Sequence, residues 1–318
     1  MTDPNIIDVE IEEDVAPASP ATPRPFLMVT HKSGMVGRFA SFGAAQDLGG
    51  GVDRDTAENT VWWAPQDWLA QVLAAGVKLP QLLAPTPGFI AGLGLQRKIV
   101  HLRKRDVPGF YAKHPDLIQD HPEVVVSTGS EHSELKPPVW TGAYRLAKGE
   151  FPPPYDSLGP DVLLQLEEPT ASVVEARYWI TRGEVTAADA YRIGQIGWES
   201  PLFVEIMFNE QARELLTLAD RFARDFAANH ADYAPPGYAI DLGVSIDGVV
   251  SVVRAWPSWS ADPLSADPTG VFRSILAAHD FDLDFADNDP WRWNPDPEIY
   301  DRSYLIEPTK EDTTDDDA

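Results

Sequence analysis

The feature that most constrains the fold is a pair of opposite charges inside an apolar run. In Val173–Ile180 (VVEARYWI), Glu175 and Arg177 are two residues apart, a spacing that places both side chains on one face of a β-strand. The Thr-Arg-Gly that follows, with Gly183 at the tight position, predicts a hairpin into a second strand at Glu184–Ala187. A buried face would require partners for both charges, because an unpaired buried charge is costly. Two interpretations are open: a solvated strand face with an ion pair, or a cleft that binds a charged ligand.

The last third of the chain predicts a second hairpin and two helices. Asp247-Gly248 lies between the apolar runs Tyr238–Ser245 and Val249–Ala255, which is a strong hairpin signal. Glu210–Ala228 has one apolar face at helical spacing. Pro268–His279 predicts another helix, with the preceding aspartate as N-cap and the proline in the first turn.

Shorter segments upstream predict strands and one helix. The strands are predicted at Phe26–Thr30, Thr60–Ala64, Arg97–Lys104, Gly109–Lys113, Glu123–Ser127, Val139–Leu146 and Asp161–Leu166. The helix is predicted at Gln66–Ala75, with Gly76 as its C-cap. We therefore divide the chain into an acidic tail (1–25), a small α/β unit (26–95), a main domain (96–306) and a second acidic tail (307–318).

Composition excludes several classes of protein. The net charge of −25, from 50 Asp and Glu against 25 Lys and Arg, argues against a general nucleic-acid binder. The absence of cysteine excludes disulfides, thiolate metal sites and a cysteine nucleophile. Neither a signal peptide nor an apolar run of ~18 residues is found, so we expect a cytoplasmic protein with no membrane partner. The tails are predicted to be disordered, with docking to a protein partner as the alternative.

Five strings occur in one order along the chain. They are GLGLQRKIVHLR, PGFYAKHP, ELKPPVWTGAY, VVEARYWITRGEVTAADAYR and YAIDLGVSIDGVVSVVRAWPSWSADPLSADP. Their patterns and order resemble the ATP-grasp superfamily over about residues 60–280, and most of all the ATP-grasp domains found largely in bacteria and their phages. The resemblance implies an α+β, ATP-grasp-like fold, in which two α/β lobes with mostly antiparallel sheets enclose a nucleotide cleft.

The resemblance also implies cofactor-binding residues. Arg97, at the entry to a strand, and Lys113 and Lys136, on two further strands, would bind the phosphates of ATP. Lysine is a compact point charge suited to that task; the alternative is that both lysines are ordinary surface residues. Glu175 and Arg177 would line the same cleft.

DVLLQLEEPT lies where the resemblance implies a linker beside the adenine. Such a linker offers backbone groups to the base and a carboxylate to the ribose. The candidates are Gln165, Glu167 and Glu168, and the alternative is an exposed acidic turn.

The fifth string departs from the family pattern at the metal site. The resemblance places a metal-binding aspartate at Asp241, but the family's glutamate and asparagine fall on Arg254 and Trp256. Magnesium requires oxygen ligands, which guanidinium and indole lack. Catalysis is lost, or Arg254 replaces part of the metal's charge, or other carboxylates supply ligands. The carboxylates considered are Glu175, Asp262 and Asp267.

Two functions follow from the resemblance. The first is an ATP-dependent carboxylate–amine ligase that acts on a small molecule or peptide through an acyl phosphate, with Arg177 and Arg254 as catalytic residues, ATP as cofactor and weakly bound magnesium at Asp241. The second is a degenerate relative, with a phage origin as one option, that serves as a nucleotide-binding or interaction module.

Overall fold

The computed structural model describes residues 24–30, 33–46, 52–86, 89, 92–93, 99–120, 122–128, 139–153, 155–168, 172–194, 196–197, 200–207, 209–281 and 290–293. Arg97, Lys136, the C-terminal tail and nearly all of the N-terminal tail lie outside these ranges. Within the ranges, none of the helices has the length and apolar character that a membrane span requires.

The N-terminal unit is built on a parallel three-stranded sheet. Strands β1 (Phe26–Val29), β2 (Ala44–Gln46) and β3 (Val61–Trp63) pair in the order β2-β1-β3. Helix α1 (Ser33–Phe39) follows β1, and α2 (Gln66–Ala74) follows β3. The two predicted strands and the predicted helix are confirmed, while α1 and β2 are additions.

A four-stranded antiparallel sheet forms the second unit. Strands β5 (Ile99–Arg103), β6 (Glu123–Thr128), β7 (Val139–Gly142) and β8 (Leu163–Glu167) pair in the order β5-β8-β6-β7. Three short helices cover one face: α3 (Val107–Lys113), α4 (Asp116–Asp120) and α5 (Ala143–Ala147). We call β5–β8 with α3–α5 the four-stranded lobe.

Two predictions in this lobe were wrong. Gly109–Lys113 is the end of helix α3, and the strand predicted over Val139–Leu146 stops at Gly142, where α5 begins. In α3 a proline occupies the first turn, and Val107 and Tyr111 are buried one turn apart against the sheet. This i, i+4 contact with the core decides for a helix, and a five-residue window is too short to reveal it.

A five-stranded antiparallel sheet forms the centre of the molecule. Strands β9 (Ser172–Thr181), β10 (Glu184–Ile193), β11 (Ile196–Gly197), β12 (Gly237–Ser245) and β13 (Val250–Pro257) pair in the order β11-β10-β9-β12-β13. Both predicted hairpins, β9–β10 and β12–β13, are confirmed. Arg182 and Gly183 have φ values of 48° and 81°, as a tight two-residue turn requires.

The two faces of this sheet are covered differently. Helices α6 (Leu202–Met207) and α7 (Glu210–Asn229) pack on the face that carries alternate apolar residues such as Tyr178 and Ile240. The opposite face carries Trp179 and Ala239, which pack with the N-terminal unit and with α8 (Pro268–Ala277). Predicted helices α7 and α8 are confirmed, and Asp267 caps α8 through the Gly270 N–H at 2.9 Å.

A buried histidine connects α8 to the N-terminal unit. Strands β4 (Gln81–Leu82) and β14 (His279–Asp280) form a small antiparallel pair. The Nε2 of His279 accepts the backbone N–H of Trp62 at 2.9 Å, so Nδ1 carries the proton and donates to the Ile275 carbonyl at 2.8 Å. Burial lowers the pKa of His279 to about 4, which keeps the ring neutral.

Candidate functional site

Four charged residues form a row across the five-stranded sheet. Strand register places Asp189 opposite Arg177, Arg177 opposite Asp241, and Asp241 opposite Arg254. Residues directly opposite each other on neighbouring strands lie on the same face. Acidic and basic side chains therefore alternate across β10, β9, β12 and β13.

The centre of the row is a two-point ion pair. Arg177 donates from Nε to Oδ1 of Asp241 at 2.7 Å and from Nη2 to Oδ2 at 2.9 Å. Its Nη1 donates to the Asp262 carbonyl at 3.1 Å, and the indole N–H of Trp256 donates to Oδ2 of Asp241 at 2.8 Å. The side chains of Arg177 and Asp241 are 4% and 1% exposed, so the pair is shielded from water.

Aromatic rings surround this arginine. The guanidinium carbon of Arg177 lies 6.0 Å, 5.8 Å and 5.4 Å from the ring centroids of Trp179, Tyr191 and Trp256. Arg254 also lies over Trp256, at 5.2 Å. Aromatic faces attract cations, so the rings and Asp241 together fix the position of Arg177.

Arg254 connects the five-stranded sheet to the four-stranded lobe. Its Nη2 forms an ion pair with Oε1 of Glu167, at the end of β8. The same Glu167 oxygen accepts the amide N–H of Gln165 at 2.5 Å and the hydroxyl of Ser127 at 3.4 Å. Leu164 and Leu166, which alternate with Gln165 and Glu167, point into the apolar core of the lobe. The polar face of β8 therefore faces Arg254 across a cleft between the two sheets.

A second ion pair lies beside the row. Glu175 accepts from Nη2 of Arg192 at 2.5 Å, and Arg192 also donates to the carbonyls of Gly194 and Ser172. Glu175 and Arg177 share one buried face, as their spacing predicts, and each has a partner on a neighbouring strand. This excludes the solvated strand face.

Asp189, at the end of the row, closes on the loop after β13. Its carboxylate accepts the backbone N–H of Ser265 at 2.7 Å and the Ser265 hydroxyl at 2.5 Å. Burial raises the pKa of Asp189, and these hydrogen bonds oppose the rise.

The remaining predicted residues lie elsewhere. Lys113 is exposed at the C-terminal end of α3, which covers the apolar face of the four-stranded sheet, away from Gln165 and Glu167. Its placement on a strand that faces the cleft is therefore wrong, because α3 is a helix on the outer face. Glu168 is half-buried just after β8. Arg97 and Lys136 lie outside the described residues.

The surroundings of Asp241 do not fit a magnesium ion. Both of its oxygens accept N–H groups of Arg177, and one also accepts that of Trp256. The neighbouring Arg254 offers no oxygen and repels cations. No group of three acidic or histidine side chains suited to a metal ion occurs in the described part of the chain. A metal at Asp241 would have to displace donors that already saturate the carboxylate.

Sequence reasoning missed several members of the site. Arg192, Asp189 and Ser127 were not singled out, and Trp256 was considered only as a failed metal ligand. Strand register would have found the first two, since Arg192 and Asp189 lie opposite Glu175 and Arg177. Trp256 was detectable from a buried aspartate's need for hydrogen-bond donors.

Comparison with known proteins identifies the domain that contains the row. A family model that describes an ATP-grasp domain, the third family of its clade, matches residues 143–275, which include Glu167, Arg177, Asp241 and Arg254. This confirms the fold that the sequence strings imply. No curated protein matches the sequence.

Three solved structures illustrate the similarity in fold. A D-cycloserine synthetase is 16% identical, with 79% of this chain and 97% of that chain covered and a TM-score of 0.43. N5-carboxyaminoimidazole synthase from Aspergillus clavatus is 12% identical, with coverages of 80% and 77% and a TM-score of 0.43. D-alanine–D-alanine ligase from Bacillus anthracis is 13% identical, with coverages of 80% and 95% and a TM-score of 0.39.

Proposed function

Because this chain contains an ATP-grasp domain, we propose that it binds ATP between its two antiparallel sheets and uses it to join a carboxylate to an amine. The observation that carries the proposal is the meeting of Arg254 with Glu167 across the cleft. Polar groups of both sheets converge there, beside the buried Arg177–Asp241 pair. Such a set of charges in a site shielded from water is suited to binding and orienting a phosphate-bearing ligand.

The proposed reaction has two steps. An oxygen of the substrate carboxylate attacks the γ-phosphorus of ATP, the bond to the β-phosphate oxygen breaks, and an acyl phosphate and ADP result. The nitrogen of the amine then attacks the acyl carbon, phosphate leaves with the bonding electrons, and the nitrogen loses a proton. Protein groups contribute mainly by positioning and by stabilising charge.

The two arginines have different tasks in this proposal. Arg254, whose side chain is 19% exposed, is the cation that contacts the phosphates. Arg177 is enclosed by Asp241 and three aromatic rings, so it positions Asp241 and Trp256 beneath Arg254. Gln165, Glu167 and Glu168, at the end of β8, are proposed to contact the nucleoside. No step is assigned to magnesium, because the groups around Asp241 do not fit it.

A second candidate function is favoured by the same surroundings of Asp241. Its carboxylate is saturated by internal donors, and Arg254 and Trp256 take the positions where the family resemblance implies metal ligands. In this alternative the protein keeps a nucleotide cleft without ligase activity and acts as a binding or interaction module.

Nucleotide binding and turnover separate these functions. At ATP concentrations tenfold above its Kd, binding stabilises the fold by about 1.4 kcal/mol, which raises the melting temperature by a few degrees. We expect this rise in the wild type and a smaller one in Arg254→Gln. ADP release, measured by a coupled assay with panels of amino acids and dipeptides, would support the ligase. Binding without ADP release favours the second function, and no thermal response to millimolar ATP ends both nucleotide proposals.

A further inference from the structure

We propose that the Arg254–Glu167 ion pair is a latch that holds the cleft closed, and that the phosphates of an incoming nucleotide compete with Glu167 for Arg254. The competition rests on the proposed function, since ATP is the competing anion. The closure itself does not depend on that function.

The two lobes have separate cores, so a polar latch can control their approach. In the described part of the chain, the apolar cluster of the four-stranded lobe consists of residues between Val100 and Leu166 alone. The clusters on the two faces of the five-stranded sheet contain none of these residues. Lobes without a shared apolar core move relative to each other at low cost, whereas a charge pair between them resists separation.

The latch is anchored firmly on both sides. On the lobe side, Gln165 and Ser127 hold the Glu167 carboxylate, whose side chain is 1% exposed. On the sheet side, Arg254 lies over Trp256, and the indole N–H of Trp256 is fixed by Asp241. A continuous chain of polar contacts therefore links β8 to the buried Arg177–Asp241 pair.

Competition for Arg254 follows from its chemistry. A guanidinium presents five N–H donors in a planar fork, and it binds phosphate oxygens in the same two-point geometry as a carboxylate. A triphosphate carries more negative charge than Glu167, so it draws Arg254 toward the ligand. The displaced carboxylate then repels the phosphates, which favours separation of the lobes.

Glu167→Gln tests the latch directly. The amide oxygen can still accept from Gln165 and Ser127, while the charge that holds Arg254 is removed. We expect ATP, measured by isothermal titration calorimetry, to bind about tenfold more tightly to this variant, as loss of one charge-assisted contact implies. The matched control is Glu175→Gln, because the Glu175–Arg192 pair has similar burial but lies within one sheet. No gain in affinity is expected there.

Lobe separation is measured independently of nucleotide. The chain has no cysteine, so spin labels can be placed at Tyr144→Cys on α5 and Ile246→Cys on the β12–β13 hairpin, which are 56% and 58% exposed. Double electron–electron resonance should give longer or broader distances in Glu167→Gln, and also in Arg254→Gln. The distances in Glu175→Gln should match those of the wild type.

The outcomes separate the two proposals. Unchanged distances in both Glu167→Gln and Arg254→Gln overturn the latch, whatever the affinity for ATP. Equal ATP affinity in wild type and Glu167→Gln overturns the competition, while ATP binding itself is upheld. Wider distances without ATP binding by any variant overturn the proposed function and the role of ATP as competitor, and leave the closure contact supported.

Discussion

The Arg177–Asp241 pair allows a quantitative test of the site. Removing one member of a buried ion pair costs about 3–5 kcal/mol, because the other charge remains buried without compensation. Asp241→Ala also leaves the Trp256 N–H without its acceptor, at a further cost of about 1–3 kcal/mol. We therefore expect about 4–8 kcal/mol for Asp241→Ala and about 3–5 kcal/mol for Arg177→Met, both large fractions of the roughly 5–15 kcal/mol typical of a domain.

The double variant Arg177→Met/Asp241→Ala should cost less than the sum of the two, because neither charge remains. A coupling energy of about 3 kcal/mol or more is expected from urea denaturation of all four proteins. Asp241→Asn, which keeps one acceptor oxygen, serves if the alanine variants do not fold. Additive costs would refute the description of this pair as a buried two-point contact. So would stabilisation of the wild type by millimolar magnesium without nucleotide that is abolished in Asp241→Asn, since Asp241 would then be open to a metal.

Three further predictions concern the elements that support the site. Because the pKa of His279 is about 4 in the folded protein, below the usual 6.5, the stability that neutral His279 contributes is complete above pH 6.5 and is lost as the pH falls toward 4. Between about pH 7.5 and pH 5 the wild type should lose about 2 kcal/mol more than His279→Gln in urea denaturation; parallel losses would contradict this. Asp267→Ala should cost about 1 kcal/mol through loss of the α8 cap, measured by thermal unfolding, and no change would show that Gly270 N–H finds another acceptor. Gly270→Ala should cost about 2–3 kcal/mol, since its Cβ would lie 1.9 Å from the Thr186 carbonyl oxygen, whereas Gly37→Ala, with open space around its Cβ, should not destabilise the protein.

Local signals account for the parts of the fold that the sequence predicted correctly. The β9–β10 and β12–β13 hairpins have a Gly with positive φ at the turn, at Gly183 and Gly248, and each turn lies between apolar runs. Helix α8 has its cap and its proline within four residues of its start. Such signals require no knowledge of distant contacts. Helix α3 was missed because its helical character comes from packing against the four-stranded sheet rather than from its own seven residues.

The site itself was only partly predictable. Spacing alone placed Glu175 and Arg177 on one face and required partners for them, and strand register in the structure supplies Arg192 and Asp241. The partner of Arg254 could not be derived in this way. Glu167 is on a different sheet, and which faces of two sheets meet is decided by the packing of whole lobes.

The arginine at position 254 changes what the cleft requires. With glutamate there, as the family resemblance implies, three carboxylates at 167, 241 and 254 would face one arginine at 177, and the excess negative charge would require a cation. With Arg254, two carboxylates face two arginines and the formal charges cancel. Trp256 completes the arrangement, because its N–H occupies a lone pair of Asp241 that a metal would otherwise use. The two departures from the family pattern therefore act together: one removes the electrostatic need for a divalent ion, and the other fills its coordination position.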